Sequence, residues 1–173
     1  MSGLSIRKLV NANVYLNGTN YAGMATEVTL PEIKAITKDH APCAMSGKLD
    51  LPVGTDKMVL GIKGDFDPAF VAACADIYHV QLLQIRCNLT NYDETGRYME
   101  QTVVAHIRAM SAGHKPGAVK GQEATELDYT FNVWAYKLEV DGVPLFDITH
   151  TSNKHEVLGL NLNSTTNENL GTN

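Results

Sequence analysis

The sequence predicts a mainly β protein: a small β-barrel or sandwich of antiparallel strands and long hairpins, with one flanking α-helix. Three observations predict it. Apolar residues recur with a period of two along much of the chain, strong turn dipeptides punctuate those runs, and a single segment carries the start signals of a helix. The clearest run is 125–149, TELDYTFNVWAYKLEVDGVPLFDIT. Leu127, Tyr129, Phe131, Val133 and Ala135 fall on one face, with Asp128, Thr130 and Asn132 on the other, the pattern of a half-buried strand. Near Trp134 the phase changes, and Tyr136, Leu138 and Val140 take over the apolar set. A bulge, or a strand that leaves one sheet and joins another, produces such a switch. Asp141-Gly142 then supplies the positive φ angles of a tight hairpin.

The remaining elements follow in order. Residues 10–16 alternate, Asn17-Gly18 signals a hairpin, and 21–30 returns as a strand that Pro31 ends. Residues 32–55 show no sustained period and contain Pro42, Gly47, Pro52 and Gly54, so they read as a long loop, a feature usually functional or disordered. Residues 57–63 resume as a strand. Asp67 is placed to cap a short helix with Pro68 at its first position, running to Tyr78 and burying Phe70, Val71, Cys74 and Ile77. Two further strands, 81–90 and 97–110, are joined across a Gly-containing turn. One domain spans 1–160, and 161–173 is a polar tail rich in Asn and Thr, expected to be mobile until something docks on it.

Composition narrows the function classes. A chain of 173 residues holds a real core without staples. Its formal charge of −5 argues against a module built to grip phosphates. No apolar run approaches a membrane span, and 1–10 lacks the apolar stretch of a secretory signal. Cys43, Cys74 and Cys87 have no metal-type spacing and read as buried thiols of a protein folded in a reducing cytoplasm.

No catalytic constellation emerges. Six histidines are scattered; the 150/155 spacing fits neither a helical nor a strand pair of metal ligands. Asp65 and Asp67 precede the helix and serve its N-terminal dipole. No nucleophile elbow, P-loop or dinucleotide fingerprint is present. No catalytic, metal or cofactor residue is assigned, and no cofactor is expected.

An ordered series of segments resembles the major tail tube proteins of contractile-tailed bacteriophages and of the related R-type tailocins. The series begins with Asn13-Val-Tyr-Leu-Asn-Gly-Thr-Asn-Tyr-Ala-Gly, followed by Glu27-Val-Thr-Leu-Pro-Glu-Ile. Ala44-Met45-Ser46-Gly47 with Leu49-Asp50-Leu51-Pro52 comes next, then Lys120-Gly-Gln-Glu-Ala-Thr-Glu. Tyr136-Lys-Leu-Glu-Val-Asp-Gly and Phe146-Asp-Ile close it. No single piece is diagnostic; the shared order over about residues 8 to 150 carries the resemblance.

The resemblance implies a structural subunit, not an enzyme, that forms homohexameric rings stacked into a tube. It further implies tail sheath, baseplate and tail terminator proteins as partners, a tape-measure protein inside the channel, and transient non-specific passage of DNA. No stable membrane association of the free subunit is expected, and the implied location is the virion tail, reached from the host cytoplasm. The long loop, with Ile33, Ile36, His40, Met45, Leu49 and Leu51, is the candidate for ring-to-ring contact, because its apolar groups need a partner. Packing back on its own barrel is the alternative. Candidates for the channel lining are Asn88, Thr90, Glu100, Thr102, Asp128, Thr130 and Asn132, on the polar faces of the two long hairpins; a solvated outer face is the alternative. Six copies carry roughly −30, and an acidic lining would repel phosphate during transit. Two other function classes stay open: a type VI secretion-like ring-forming carrier and a monomeric β-sandwich binding module. Against the last, Trp134 and most tyrosines fall within strands and not on a loop platform.

Overall fold

The structure, a computed structural model, describes residues 5–41, 43 and 46–172. The chain runs β1 (Ile6–Leu16), β2 (Thr19–Asn20), β3 (Ala25–Thr29), β4 (Ala35–His40), β5 (Leu49–Thr55), β6 (Met58–Gly64) and helix α1 (Pro68–Ala75). It continues with β7 (Val80–Asp93), β8 (Gly96–Lys115), β9 (Leu127–Val140) and β10 (Val143–Thr149). A 3-10 turn (His150–Ser152), β11 (Lys154–Val157), β12 (Leu160–Asn161) and helix α2 (Ser164–Leu170) complete it.

Ten strands form one antiparallel sheet in the order β12-β11-β10-β9-β8-β7-β1-β2, with β6 beside β9 and β3 beside β6. The expected barrel does not close, because β3 pairs only with β6 and no ladder joins it to β1. What results is a single coiled sheet that wraps α1. The switch of phase near Trp134 is real and has both anticipated causes. Arg108 pairs with Ala135 and Ala109 with Val133, which leaves Trp134 as the extra residue of a bulge. On its other edge β9 changes partner at the same place, from β6 (up to Val133) to β10 (from Ala135). Both hairpin dipeptides hold the positive φ their turns require: Asn17 49° and Gly18 84°, Asp141 49° and Gly142 80°.

The core lies on the sheet face that α1 covers. Leu60, Ile62, Ile85, Ile107, Tyr129 and Phe131 are buried there, with Phe70 and Cys74 pressed on them from the helix. Phe70 meets Tyr129 and Tyr21 edge-on, at ring separations of 4.7 and 5.0 Å. Asp67 caps α1 as its sequence position predicts, Oδ1 accepting the N–H groups of Ala69 and Phe70 at 2.9 Å. Two buried strand side chains serve the other end: Gln81 Nε2 donates to the Ala73 carbonyl and Ser111 Oγ to that of Cys74. The helix ends earlier than expected. Asp76 is extended (ψ 95°), so Ile77 leaves the helical face and is 45 % exposed instead of lying in the core.

Two other expectations are corrected. The segment 32–55 is not an irregular loop; β4 and β5 pair as a separate two-stranded sheet. The segment from 161 onward is not a structureless tail. Asn153 sits in the left-handed region and anchors it: its Nδ2 donates to Asn167 Oδ1 at 2.8 Å, and Asn163 Nδ2 donates to its carbonyl at 3.1 Å. Gly171, at φ 65°, closes α2.

Candidate functional site

The β4–β5 hairpin is exposed throughout its two strands except at Thr55, which is half-buried. Its register explains what it presents. His40 lies opposite Leu49 and Lys38 opposite Leu51, so these four share one face with Ile36, which pairs with Gly54. Asp39 lies opposite Asp50 and Thr37 opposite Pro52, giving a polar second face. Ile36, Leu49 and Leu51 are each nearly half exposed, and Ile33, just before β4, is 40 % exposed. Five of the six residues singled out for ring-to-ring contact therefore come together on or beside this hairpin; Met45 lies outside the described residues. Val53, at the bulge opposite Ile36 and Thr37 and 55 % exposed, extends the apolar set and was missed. Its signal was present, since Leu49, Leu51 and Val53 alternate with Asp50 and Pro52. The prolines and glycines nearby masked it.

The channel-lining candidates also fall on one surface, the face of the sheet turned away from α1. On β7 the core row is Leu83, Ile85 and Cys87, so Asn88 and Thr90 point the other way. Register places Thr102 opposite Asn88 and Glu100 opposite Thr90. Asp128, Thr130 and Asn132 alternate with the buried residues of β9 and join the same face. Asn88 Nδ2 donates to Glu100 Oε1 at 3.1 Å. Thr90 is corrected: it is only 2 % exposed between its neighbours Lys8 and Glu100 and offers no group to a channel.

Sequence reasoning missed the cations of this face. Arg86, Arg108 and Lys137 occupy outward positions in the same rows, so the surface is of mixed sign. Arg86 lies over the Tyr15 ring, 5.5 Å from its centre. Lys137 Nζ is 2.5 Å from Glu139 Oε1, and His106 Nε2 is 3.2 Å from Oε2. The hydrogen bond from Lys137 holds the Glu139 carboxyl below its ordinary range, with His106 adding to the effect. Tyr15, Gln84, His106, Arg108 and Lys137 border a shallow hollow of about 470 Å³ on this face. No nucleophile and base are brought together there, and among the described residues no group of three or more His, Cys, Asp or Glu is placed to hold a metal. Burial pushes the Cys74 thiol up to about 12, which makes it an inert core group.

A third feature is a seam. The edges of β1 and β3 border a cleft of about 360 Å³ lined by Leu9, Val10, Ala12, Val28, Leu30 and Cys87. At one end the chain leading into β3 joins β1, where the Tyr21 N–H donates to the Val14 carbonyl at 2.9 Å; Leu9 and Leu30 lie towards the other.

Comparison with known proteins places the chain in a family. The tail tube protein of Escherichia phage P2 is 28 % identical over 146 residues, covering 82 % of this chain and 84 % of that protein. Solved structures share the fold at low identity. One is the sheath–tube complex of the PVC extracellular contractile injection system in its extended state (TM-score 0.54, 9 % identity, 74 % of this chain and 87 % of that one). Another is the tube-terminating cap of the anti-feeding prophage (TM-score 0.52, 12 % identity, 74 % and 87 %). The sequence profile of the phage tail tube protein FII family matches residues 6–171; the chain belongs to that family, and it is a structural protein, not an enzyme.

Proposed function

We propose that this protein is the tube subunit of a contractile tail, assembling as homohexameric rings that stack around a channel. The observation that carries the reading is the β4–β5 hairpin, which exposes an apolar face and two unpaired strand edges on a chain of this family. Such a surface on a free protein invites association. On a tube subunit it is a contact to the next ring.

The face of β7, β8 and β9 turned away from α1 is assigned to the channel. Its acids are interleaved with its cations: Glu100 lies 3.0 Å from Arg97, Asp128 sits opposite Lys115 and Glu139 meets Lys137, with Arg86 and Arg108 beside them, so carboxylates blunt its hold on a nucleic acid through phosphate neutralisation. DNA passage in this reading depends on a wall whose cations are mostly paired with carboxylates. The relatives named as sheath–tube complex and tube cap support sheath and terminator proteins as partners, and the virion tail as the location.

Native mass spectrometry of the purified protein tests the ring. A dominant species of six chains is expected; a dimer or trimer as the largest closed species contradicts it.

A further inference from the structure

Two unpaired features of the same chain complement each other. The first is the seam. Among the described residues, β1 from Ile6 to Ala12 pairs only with β7, and β3 pairs only with β6, so each turns an open edge to the cleft. Open edges with apolar side chains between them form a slot shaped for an extended segment. The second is the β4–β5 hairpin, whose outer edges and apolar face also lack a partner.

Charge matches as well. Arg7 and Lys8 continue β1 beyond the open end of the cleft, both exposed and neither in an ion pair among the described residues. The hairpin sets Asp39 directly opposite Asp50, a like-charge pair that is unfavourable alone. Its cations are Lys38, on the apolar face, and Lys48, 4.0 Å from Asp39.

The geometry points to the β4–β5 hairpin of a second copy as the occupant of the β1–β3 seam, with its Leu49–Leu51–Val53 row on the side of Leu9 and Leu30 and its aspartates, on the opposite face, towards Lys8. This rests on the tube reading and specifies one of its contacts. The contact is head-to-tail: each copy donates a hairpin and accepts another. It propagates through successive copies and does not stop at a two-fold dimer.

That asymmetry defines the test. Leu51→Asp disables the donor, and Leu9→Asp disables the acceptor; both positions are nearly half exposed in the single chain. Thr26→Lys, at an exposed position on the cleft's other wall, is a second acceptor variant in case Leu9→Asp misfolds. Circular dichroism confirms folding, and sedimentation velocity reads assembly. Burying an unpaired charge is expected to weaken association about 100-fold or more in each variant alone. A mixture of donor-dead and acceptor-dead rings retains one intact set of contacts per pair of rings and is expected to form two-ring stacks that grow no further. Wild-type-like assembly of both variants overturns the seam contact and leaves the tube reading standing. Variants that assemble normally but lose binding to another tail component assign the seam to that partner and equally overturn it. A wild type that stays monomeric at every concentration, with or without its baseplate, contradicts the tube reading itself and the seam contact with it.

Discussion

Asp39 faces Asp50 across the β4–β5 hairpin. The hairpin thus keeps an electrostatic conflict in the free subunit that a partner's cations would relieve. Asp50→Asn is expected to stabilise the isolated chain by roughly 0.2–1 kcal/mol while weakening self-association. Thermal unfolding and sedimentation on the same sample separate the two effects. Parallel losses in both would show that Asp50 acts only within its own chain.

Trp134 is the bulge residue of β9 and is 41 % exposed. Its side chain adds little to the core, but its presence sets which face Tyr136 and Leu138 occupy. Trp134→Ala should cost under about 1 kcal/mol. Deletion of Trp134 should cost several times more, because a one-residue slip turns the following row out of the core. Denaturant unfolding of both variants decides it; equal costs would mean that packing, and not register, is the role of this residue.

The network of Asn153, Asn163 and Asn167 holds the C-terminal helix to the body. Asn167 is 7 % exposed, so Asn167→Ala leaves its partners short of hydrogen bonds, at a cost of about 1–3 kcal/mol. Amide exchange should accelerate across 160–172 while β7 and β8 stay protected. Uniform acceleration through the sheet would show that α2 is not a separate unit of stability.

Glu139 is held below the ordinary value of 4.5 chiefly by Lys137. A carboxyl whose folded value is depressed contributes stability that is complete above the unfolded value and lost as pH falls through the folded one. Acid unfolding should therefore begin below about pH 4.5. Lys137→Met should flatten that limb by lowering stability slightly at pH 7, where the contribution is fully present, while leaving stability at strongly acidic pH unchanged, which equilibrium unfolding at stepped pH measures.

Much of the fold was readable from the sequence, because period-two burial and turn dipeptides are local signals. The β9 bulge, both tight hairpins and the Asp67 cap were all found where residues 127–140, 17–18, 141–142 and 67–70 placed them. Non-local features were not. Whether the sheet closes depends on how far β1 and β3 approach, which no local pattern records. The β4–β5 hairpin was hidden by its own Pro52 and Gly54, tolerated because its edges are unpaired within the chain. Asn153 and Asn167 meet only after the chain has turned at residues 150–153, so the ordered C-terminus looked like a polar tail. The proposed ring-contact residues stood out as apolar groups lacking a period, whereas the cations Arg86, Arg108 and Lys137 escaped notice because the search followed polar alternation and net charge.

Negative-stain electron microscopy of the purified full-length protein across a concentration series, with its baseplate added as a nucleus, tests the central claim most directly. Hollow rings with six-fold end views, growing into stacked tubes at higher concentration or on the baseplate, are the predicted result. Monodisperse small particles at every concentration, with the baseplate present, would contradict it.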